Sequence, residues 1–414
     1  MPDNVQSVYG KFVSSGYYQK NMGGLRGKYD NIRKYWEDEI TRFAIRPFLL
    51  DTIHACLMRL ERLRVVDLGC GSGQGYELLT TIKKDEVGID AHDHDMLGPD
   101  MFGNYLGVDI SHDMVKQAEG MYSANEKVRF AQADLNEGIG VVKEHPAFDL
   151  YYSAYGSLSH LDDEKLENLL VEIAHHARDG SLVVGDWLGK FSYEWPCHWG
   201  LKPEESYKSY TMSWIKDNAL HEEVESFPIR YWARDELLEL FKRASKRSGV
   251  KIEPLRFLDR SVFVGRHMDT RQYNPHAQPI RNFTNMLHED NLRTNLEHLL
   301  INYVPVEGFD EQNRYFERLQ VAWNNIVHFL MERLSPQANE NLLQRYSSVD
   351  EQVFYILKTL DRIVENVRWI EFGDPRANII EPQLGYALRS LELAFQEGKG
   401  HSHGLLGVLK IHKK

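Results

Sequence analysis

The sequence predicts an α/β fold: a seven-stranded, mostly parallel, doubly wound sheet with its last strand reversed, followed by an all-α C-terminal domain. Three observations predict it. Val65-Val66-Asp67-Leu68 is a short β-branched run, and glycines at 69, 71 and 73 and a helical pattern over 74–82 follow at once. From Tyr105 onward, apolar strand runs alternate with amphipathic helical stretches, the rhythm of a parallel sheet. Beyond residue 280 only helical spacing remains, cut into pieces by Pro305, Pro336, Pro375 and Pro382. The expected division is a helical cap over 1–63, a sheet domain over 64–268 with an aromatic lid inserted at 187–232, and a helical domain over 281–414.

Composition sets outer limits. The chain has 414 residues, 42% of them hydrophobic, and a formal net charge of −12. That length suits two or three domains with a sizeable core, and the acidic balance argues against a nucleic-acid partner. No apolar run approaches the ~18–20 residues of a membrane span. The polar stretch Met1–Ser15 lacks the apolar segment of a signal peptide. Cys56, Cys70 and Cys197 are few, scattered and odd in number, with neither zinc spacing nor a disulfide framework. The expectation is a reduced, cytoplasmic protein.

Before the first strand, Ile32, Tyr35, Trp36, Ile40, Phe43 and Ala44 recur at helical spacing, and Pro47 is expected to begin a second helix. Tyr29, Arg33 and Trp36 then share one helix face, an arginine between two rings. The glycine turn itself is a ligand-binding signal. Glycine lets the backbone bend sharply and a ligand approach its N–H groups, and the next helix points its positive end at the same place. A dinucleotide fingerprint needs a third glycine at 74 or 76, which are Gln74 and Tyr76. A P-loop needs a lysine that the turn lacks.

The register Asp67-x-Gly69-x-Gly71-x-Gly73 instead resembles motif I of class I S-adenosylmethionine-dependent methyltransferases, and the resemblance extends over about residues 29–268. It implies S-adenosylmethionine as cofactor, held by Asp67, Gly69, Cys70, Gly71 and Gly73. It further implies an acid at the second strand end for the ribose hydroxyls. Asp90 and Asp109 are both candidates; only from Asp109-Ile110 does the strand–helix–strand rhythm run on, through 114–118 to the strand over 128–134. Asp134 and Leu135 would read the adenine, and Ser153 at the fourth strand end would complete the cofactor contacts. Tyr29 and Arg33 would cover the cofactor carboxylate, unless that helix is simply amphipathic with Arg33 in solvent. Residues 83–103 become an acidic insertion; Asp90, His92, Asp93, His94 and Asp95 could converge on a metal, but no ligand framework is visible and no metal is expected.

After the fourth strand, Ser157-Leu158-Ser159-His160-Leu161 resembles the post-strand motif of small-molecule N-methyltransferases. It makes His160 the candidate proton acceptor, with Asp186 and Tyr193 behind it. Tyr155, Trp187 and Trp195 would meet the substrate, since aromatic faces stabilise a sulfonium or amine by ~0.5–2 kcal/mol. Most rings of the 187–232 segment would otherwise be core. Should substrate not enter there, the alternative entry lies beneath the Tyr29–Trp36 helix. The Asn-Pro-Pro-Tyr/Phe motif of nucleic-acid amino methylation is absent; the sequence is Ser153-Ala154-Tyr155-Gly156. The expected acceptor is a small molecule, methylated at nitrogen or oxygen. The competing reading is a non-catalytic cofactor-binding subunit or sensor acting through the helical domain. A hairpin of 250–258 with Ser261–Arg266 would close the sheet. The C-terminal helices would then serve a homodimer or cap the active site, and neither a membrane nor a nucleic-acid partner is expected.

Overall fold

β1 (Leu63–Leu68) is the centre of the sheet, with every residue but Arg64 buried. It belongs to a computed structural model that describes residues 9, 11, 13, 16, 23–25, 27–84, 95–98, 101–212, 226–337, 341–367, 369, 370 and 373–413. Parallel to β1 run β2 (Phe102–Asp109) and then β3 (Val128–Gln132) on one side, and β4 (Leu150–Tyr152) and then β5 (Leu182–Gly189) on the other. Strands covered on both faces need no polar alternation, hence Val65-Val66 and Leu150-Tyr151-Tyr152. The crossovers carry α2 (Gln74–Thr80), α3 (His112–Tyr122) and α4 (Asp163–His176). α3 and α4 begin where a side chain can take an orphan N–H: Ser111 accepts from the Met114 amide and Asp162 from the Lys165 amide.

Ahead of them lies α1 (Asp38–Met58), entered through one wide, π-type turn over Arg33–Glu37. The expected helix break at Pro47 does not occur. Proline leaves the Phe43 carbonyl without its helical donor. The Arg256 guanidinium replaces it, donating to the carbonyls of Phe43 (3.3 Å) and Ala44 (3.4 Å) while lying over the Phe43 and Phe48 rings.

β6 (Tyr207–Thr211) and β7 (Ser226–Trp232) form an antiparallel pair that branches off β5 at Leu188 and Gly189. α5 (Arg234–Ser248) leads to β8 (Lys251–Asp259), and β8 pairs with β9 (Gly404–His412). β9 is antiparallel to both β8 and β5, so the main path runs β8-β9-β5-β4-β1-β2-β3. The sheet thus has the reversed strand expected of it, but from a different segment. Ser261–Arg266 is not a strand: the Val262 and Phe263 amides donate to Glu392, and their side chains pack into the core shared with the helical region. The boundary at 268 therefore does not close the sheet.

Helices α6 (Ile280–Met286), α7 (Asp310–Arg333), α8 (Glu351–Val367) and α9 (Glu381–Ala394) lie in sequence between β8 and β9. The helical spacing between residues 280 and 300 yields only α6 and a 3₁₀ turn at Leu296–Leu299. One face of the sheet packs on α1 and this helical region, the other on α4 and α5. Asp90, His92, Asp93 and His94 lie outside the described residues. Among the described residues no cluster fit for a metal occurs, and no helix is long and apolar enough to cross a membrane.

Candidate active site

Gly69 and Gly71 follow β1 with φ of 73° and 53°, a left-handed bend that side-chain-bearing residues avoid. A Cβ on Gly69 would also sit 2.6 Å from Ser157, whose hydroxyl donates to the Gly69 carbonyl. The turn is tied down from β2: the Gly69 and Cys70 amides donate to the Val108 carbonyl, at 2.8 and 3.0 Å. One residue further, Asp109 Oδ2 accepts from the Gly71 amide (2.8 Å) and Oδ1 from the Ser111 amide (2.9 Å). Burial pushes the Asp109 carboxyl up, and those two N–H groups and Lys28 oppose the shift. Beneath the turn, Asp67 Oδ2 accepts from the Tyr105 hydroxyl at 2.5 Å, while Oδ1 is buried with no hydrogen-bond partner among the described residues. Its pKa is pushed up to about 7 by burial.

A cavity of about 280 Å³ lies over this turn. Ile110, Met114, Ala133 and Leu135 make one end apolar, with Asp134 beside them; Tyr155, Ser157 and His160 line the other end. Asp134 Oδ1 caps the turn after β3 by accepting from the Asn136 amide (2.9 Å) and side chain (2.7 Å).

Around this cavity the fold gathers Asp67, Gly69, Cys70, Gly71, Asp109, Ile110, Asp134, Leu135, Tyr155 and His160 of the expected residues. Gly73 instead faces Tyr122 and Phe130, and the Ser153 hydroxyl is turned down onto the Leu68 carbonyl, 2.7 Å away. Tyr29 takes part indirectly, its oxygen accepting from Gln74 Nε2 (2.7 Å), and Gln74 lines the cavity.

Arg33 belongs to a second chamber of about 80 Å³, which shares Tyr9, Lys28, Tyr155 and His160 with the first. One wall of the chamber is apolar, with Leu188, Tyr210, Met212, Phe227 and Ile229. The other holds Arg33, Glu37, Arg260, Arg266 and His403. Behind the charged wall, Arg281 of α6 grips both oxygens of Asp30 and one of Glu37, each at 2.7 Å. Against the opposing cost of burial, Arg281, Arg266 and Arg260 hold Glu37 well below the usual carboxylate range. Burial, then Arg33 and Arg266, push Lys28 well below its ordinary value. His160 is pushed down to about 4 by burial. Its Nε2 lies 3.2 Å from the Tyr9 hydroxyl, and Nδ1 has no partner among the described residues. Tyr155, between the two spaces, has a φ of 57° and donates to Asp38 Oδ1 (2.9 Å). Strain of this kind concentrates at functional positions.

Of the six expected catalytic and substrate residues, four are not brought here. Asp186 is fully buried and 2.6 Å from Arg260, lining neither space. Strand alternation sends its neighbour Trp187 to the opposite face, against Phe241 of α5. Trp195 donates to the Gly189 carbonyl and packs on Tyr231, and Tyr193 sits against Tyr303 and Phe316 with its oxygen accepting from the Val304 amide. These rings are core. Lys28, Arg260, Arg266 and Phe227 went unforeseen. Arg260 and Arg266, bracketing the apolar run 262–264, were the available signal.

Residues 96–180 match the family model described as a methyltransferase domain, a match that starts downstream of the glycine turn and ends beyond α4. Several solved structures are similar. An S-adenosylmethionine-dependent methyltransferase from Clostridium acetobutylicum is 17% identical, covering 61% of this chain and 90% of that one, with a TM-score of 0.35. One from Mesorhizobium loti is 19% identical, with 50% and 82% covered and a TM-score of 0.30. An amino pentose methyltransferase from Micromonospora echinaspora, involved in calicheamicin biosynthesis, is 15% identical, with 50% and 83% covered and a TM-score of 0.30. Among curated proteins, none matches this chain.

Proposed function

We propose, from the premise that this chain carries a class I S-adenosylmethionine-dependent methyltransferase domain, that it methylates a small molecule at nitrogen or oxygen. The observation that supports this reading is the pair of adjoining spaces: a cavity over the glycine turn and a smaller chamber, with Tyr155 and His160 in both linings.

The residues present fit the cofactor. Each Asp109 oxygen spends one lone pair on a backbone N–H, which leaves one for each ribose hydroxyl. Asp134 and the apolar residues around Leu135 suit a purine, and the buried Asp67 Oδ1, without a partner among the described residues, is an acceptor waiting for a donor. When bound, S-adenosylmethionine supplies an electrophilic methyl group on a sulfonium. The protein's part is to hold the acceptor in line and exclude water. His160, neutral throughout the ordinary pH range, takes the proton of an acceptor that arrives protonated. Arg33 lines the acceptor side of this arrangement, Tyr29 supports the cofactor side through Gln74, and Asp186, Trp187, Tyr193 and Trp195 serve as core of the surrounding scaffold.

Methyl-labelled S-adenosylmethionine, incubated with the protein and its host's extract, should label a small molecule. Label found only in protein or nucleic acid would overturn the acceptor class. Asp109→Ala should weaken binding of S-adenosylhomocysteine by ~1.5–3 kcal/mol, read by calorimetry, because the ribose loses a charged acceptor. His160→Ala should slow transfer at least ~10-fold, about 1.4 kcal/mol of barrier, with product affinity changed less than about threefold. Because burial keeps His160 near pKa 4, the wild-type rate should show no histidine step near pH 6.5. Such a step, if abolished in the variant, would mean that His160 is solvated and protonated there.

A further inference from the structure

Two guanidinium groups converge on the strained Tyr155 ring: Arg33 Cζ lies 4.0 Å from its centroid and Arg260 Cζ 5.3 Å. Both arginines are 3% exposed and both line the second chamber. A guanidinium has five N–H donors and a geometry matched to a carboxylate. Neither arginine spends all of them. Among the described residues the Arg33 side chain donates to the Lys28 carbonyl at 3.3 Å and to the Tyr155 hydroxyl. Its nearest carboxylate, Asp38, stays 3.9 Å off and accepts the Tyr155 hydroxyl instead. Arg260 reaches Asp186 with one terminal nitrogen (2.6 Å) and the Thr41 hydroxyl with the other (3.4 Å). Its Nε is buried without a hydrogen-bond partner among the described residues. Buried donors left this way are costly, and two neighbouring buried cations repel.

Among the described residues the chamber lining contains a single carboxylate, and it is committed elsewhere: Glu37 is held by Arg281 at 2.7 Å and Arg266 at 3.3 Å. The facing wall is apolar and partly aromatic, with Phe227, Ile229, Leu188 and Met212. The space is thus cationic on one side, oily on the other, and small.

Resting on the methyltransferase reading above, we infer that the methyl acceptor is a carboxylic acid. Its carboxylate takes the spare donors of Arg33 and Arg260, and its apolar body lies against Phe227 and Ile229. A carboxylate, with one oxygen fewer than a phosphonate, is the anion that suits so small a chamber, and an arginine fork takes it with two parallel bonds. The acid also meets a buried donor, Arg260 Nε, that has no hydrogen-bond partner among the described residues.

Calorimetry on the full chain, saturated with S-adenosylhomocysteine, tests this with phenylacetate, indole-3-acetate and 4-hydroxybenzoate, each against its carboxamide, and with benzylphosphonate. At least one acid should bind ten times more tightly than its amide and than the phosphonate. Arg33→Met should remove that preference and Arg33→Lys restore part of it, while S-adenosylhomocysteine affinity changes less than threefold. Arg260→Lys, which keeps the charge beside Asp186, should reduce it too. Equal binding of acids and amides, no binding of either, or tighter binding of the phosphonate would overturn the inference. So would a loss of S-adenosylhomocysteine affinity in Arg33→Met with acid binding intact, since Arg33 would then serve the cofactor. Failure of the wild type to bind S-adenosylhomocysteine is a separate result, which would overturn the methyltransferase reading itself.

Discussion

A chain ended at His403, before β9, is expected to lose cooperative folding altogether. β9 is not an edge: it lies between β5 and β8 and pairs with both along its length. Leu405, Leu406, Val408, Leu409 and Ile411 are each at most 1% exposed. Burying side chains of this kind contributes about 1.5–3 kcal/mol apiece, so five amount to about 7–15 kcal/mol. That matches the whole stability of a typical domain, about 5–15 kcal/mol. The truncation also leaves β5 and β8 with open ladder groups in the middle of the sheet, where water cannot reach them all. Thermal unfolding followed by circular dichroism should show no sigmoidal transition, and the product should be largely insoluble. A sharp transition within a few degrees of the full chain would mean that another segment fills the gap. A chain lacking residues 270–414, which would fold if Ser261–Arg266 closed the sheet, should fail for the same reason.

The second large effect is expected from Arg281→Met. Arg281 is 3% exposed and donates to Asp30 twice, to Glu37 and to the Val264 carbonyl, each at 2.7 Å. Removing one partner of a buried ion network leaves uncompensated charge and costs roughly 3–5 kcal/mol. The pH dependence has a definite sign. In the intact protein Glu37 lies well below 4.5, so its contribution is present above pH 4.5 and is lost as the pH falls through the lower folded value. Without Arg281 the Asp30 carboxyl has burial acting on it and its closest remaining arginine, Arg266, at 4.0 Å. Its folded pKa then rises, and the penalty grows as the pH rises from 4.5 towards 7. Urea unfolding at pH 5 and pH 7 should therefore show a smaller difference from wild type at the lower pH. A penalty under 1 kcal/mol at pH 7 would mean that the network is solvated.

Much of the cofactor side was legible because its signals are local. The β1–glycine turn–α2 unit is written in consecutive residues, and Asp109 and Asp134 stand at ends of strands whose apolar runs are plain. What failed was non-local. Val262-Phe263-Val264 and Leu405 to Ile411 are both apolar runs after a polar stretch, and nothing local says which one pairs with β8. The charged wall joins Asp30 to Arg281, 251 residues apart, so no window of sequence contains it. Pro47 looked like a helix start because the donor that excuses it, Arg256, is 213 residues from Phe43. Trp187 could have been placed correctly: strand parity puts it on the face opposite Asp186 and Leu188.

The helical insertion also bears on how the sheet assembles. Asp259 and Leu405 face each other across the β8–β9 ladder with roughly 140 residues between them. Closing a loop of that length while it is unstructured costs about 4 kcal/mol in chain entropy before any ladder bond repays it. α7, α8 and α9 pack on one another through contacts far closer in sequence, so they can form early and draw the two ends together. In this order β1 to β5 assemble through short crossovers, the helices condense beside them, and β9 slides last into the slot between β5 and β8. The helices then govern a rate as well as a surface: loosening α7 against α8 should slow the final refolding phase more than it speeds unfolding.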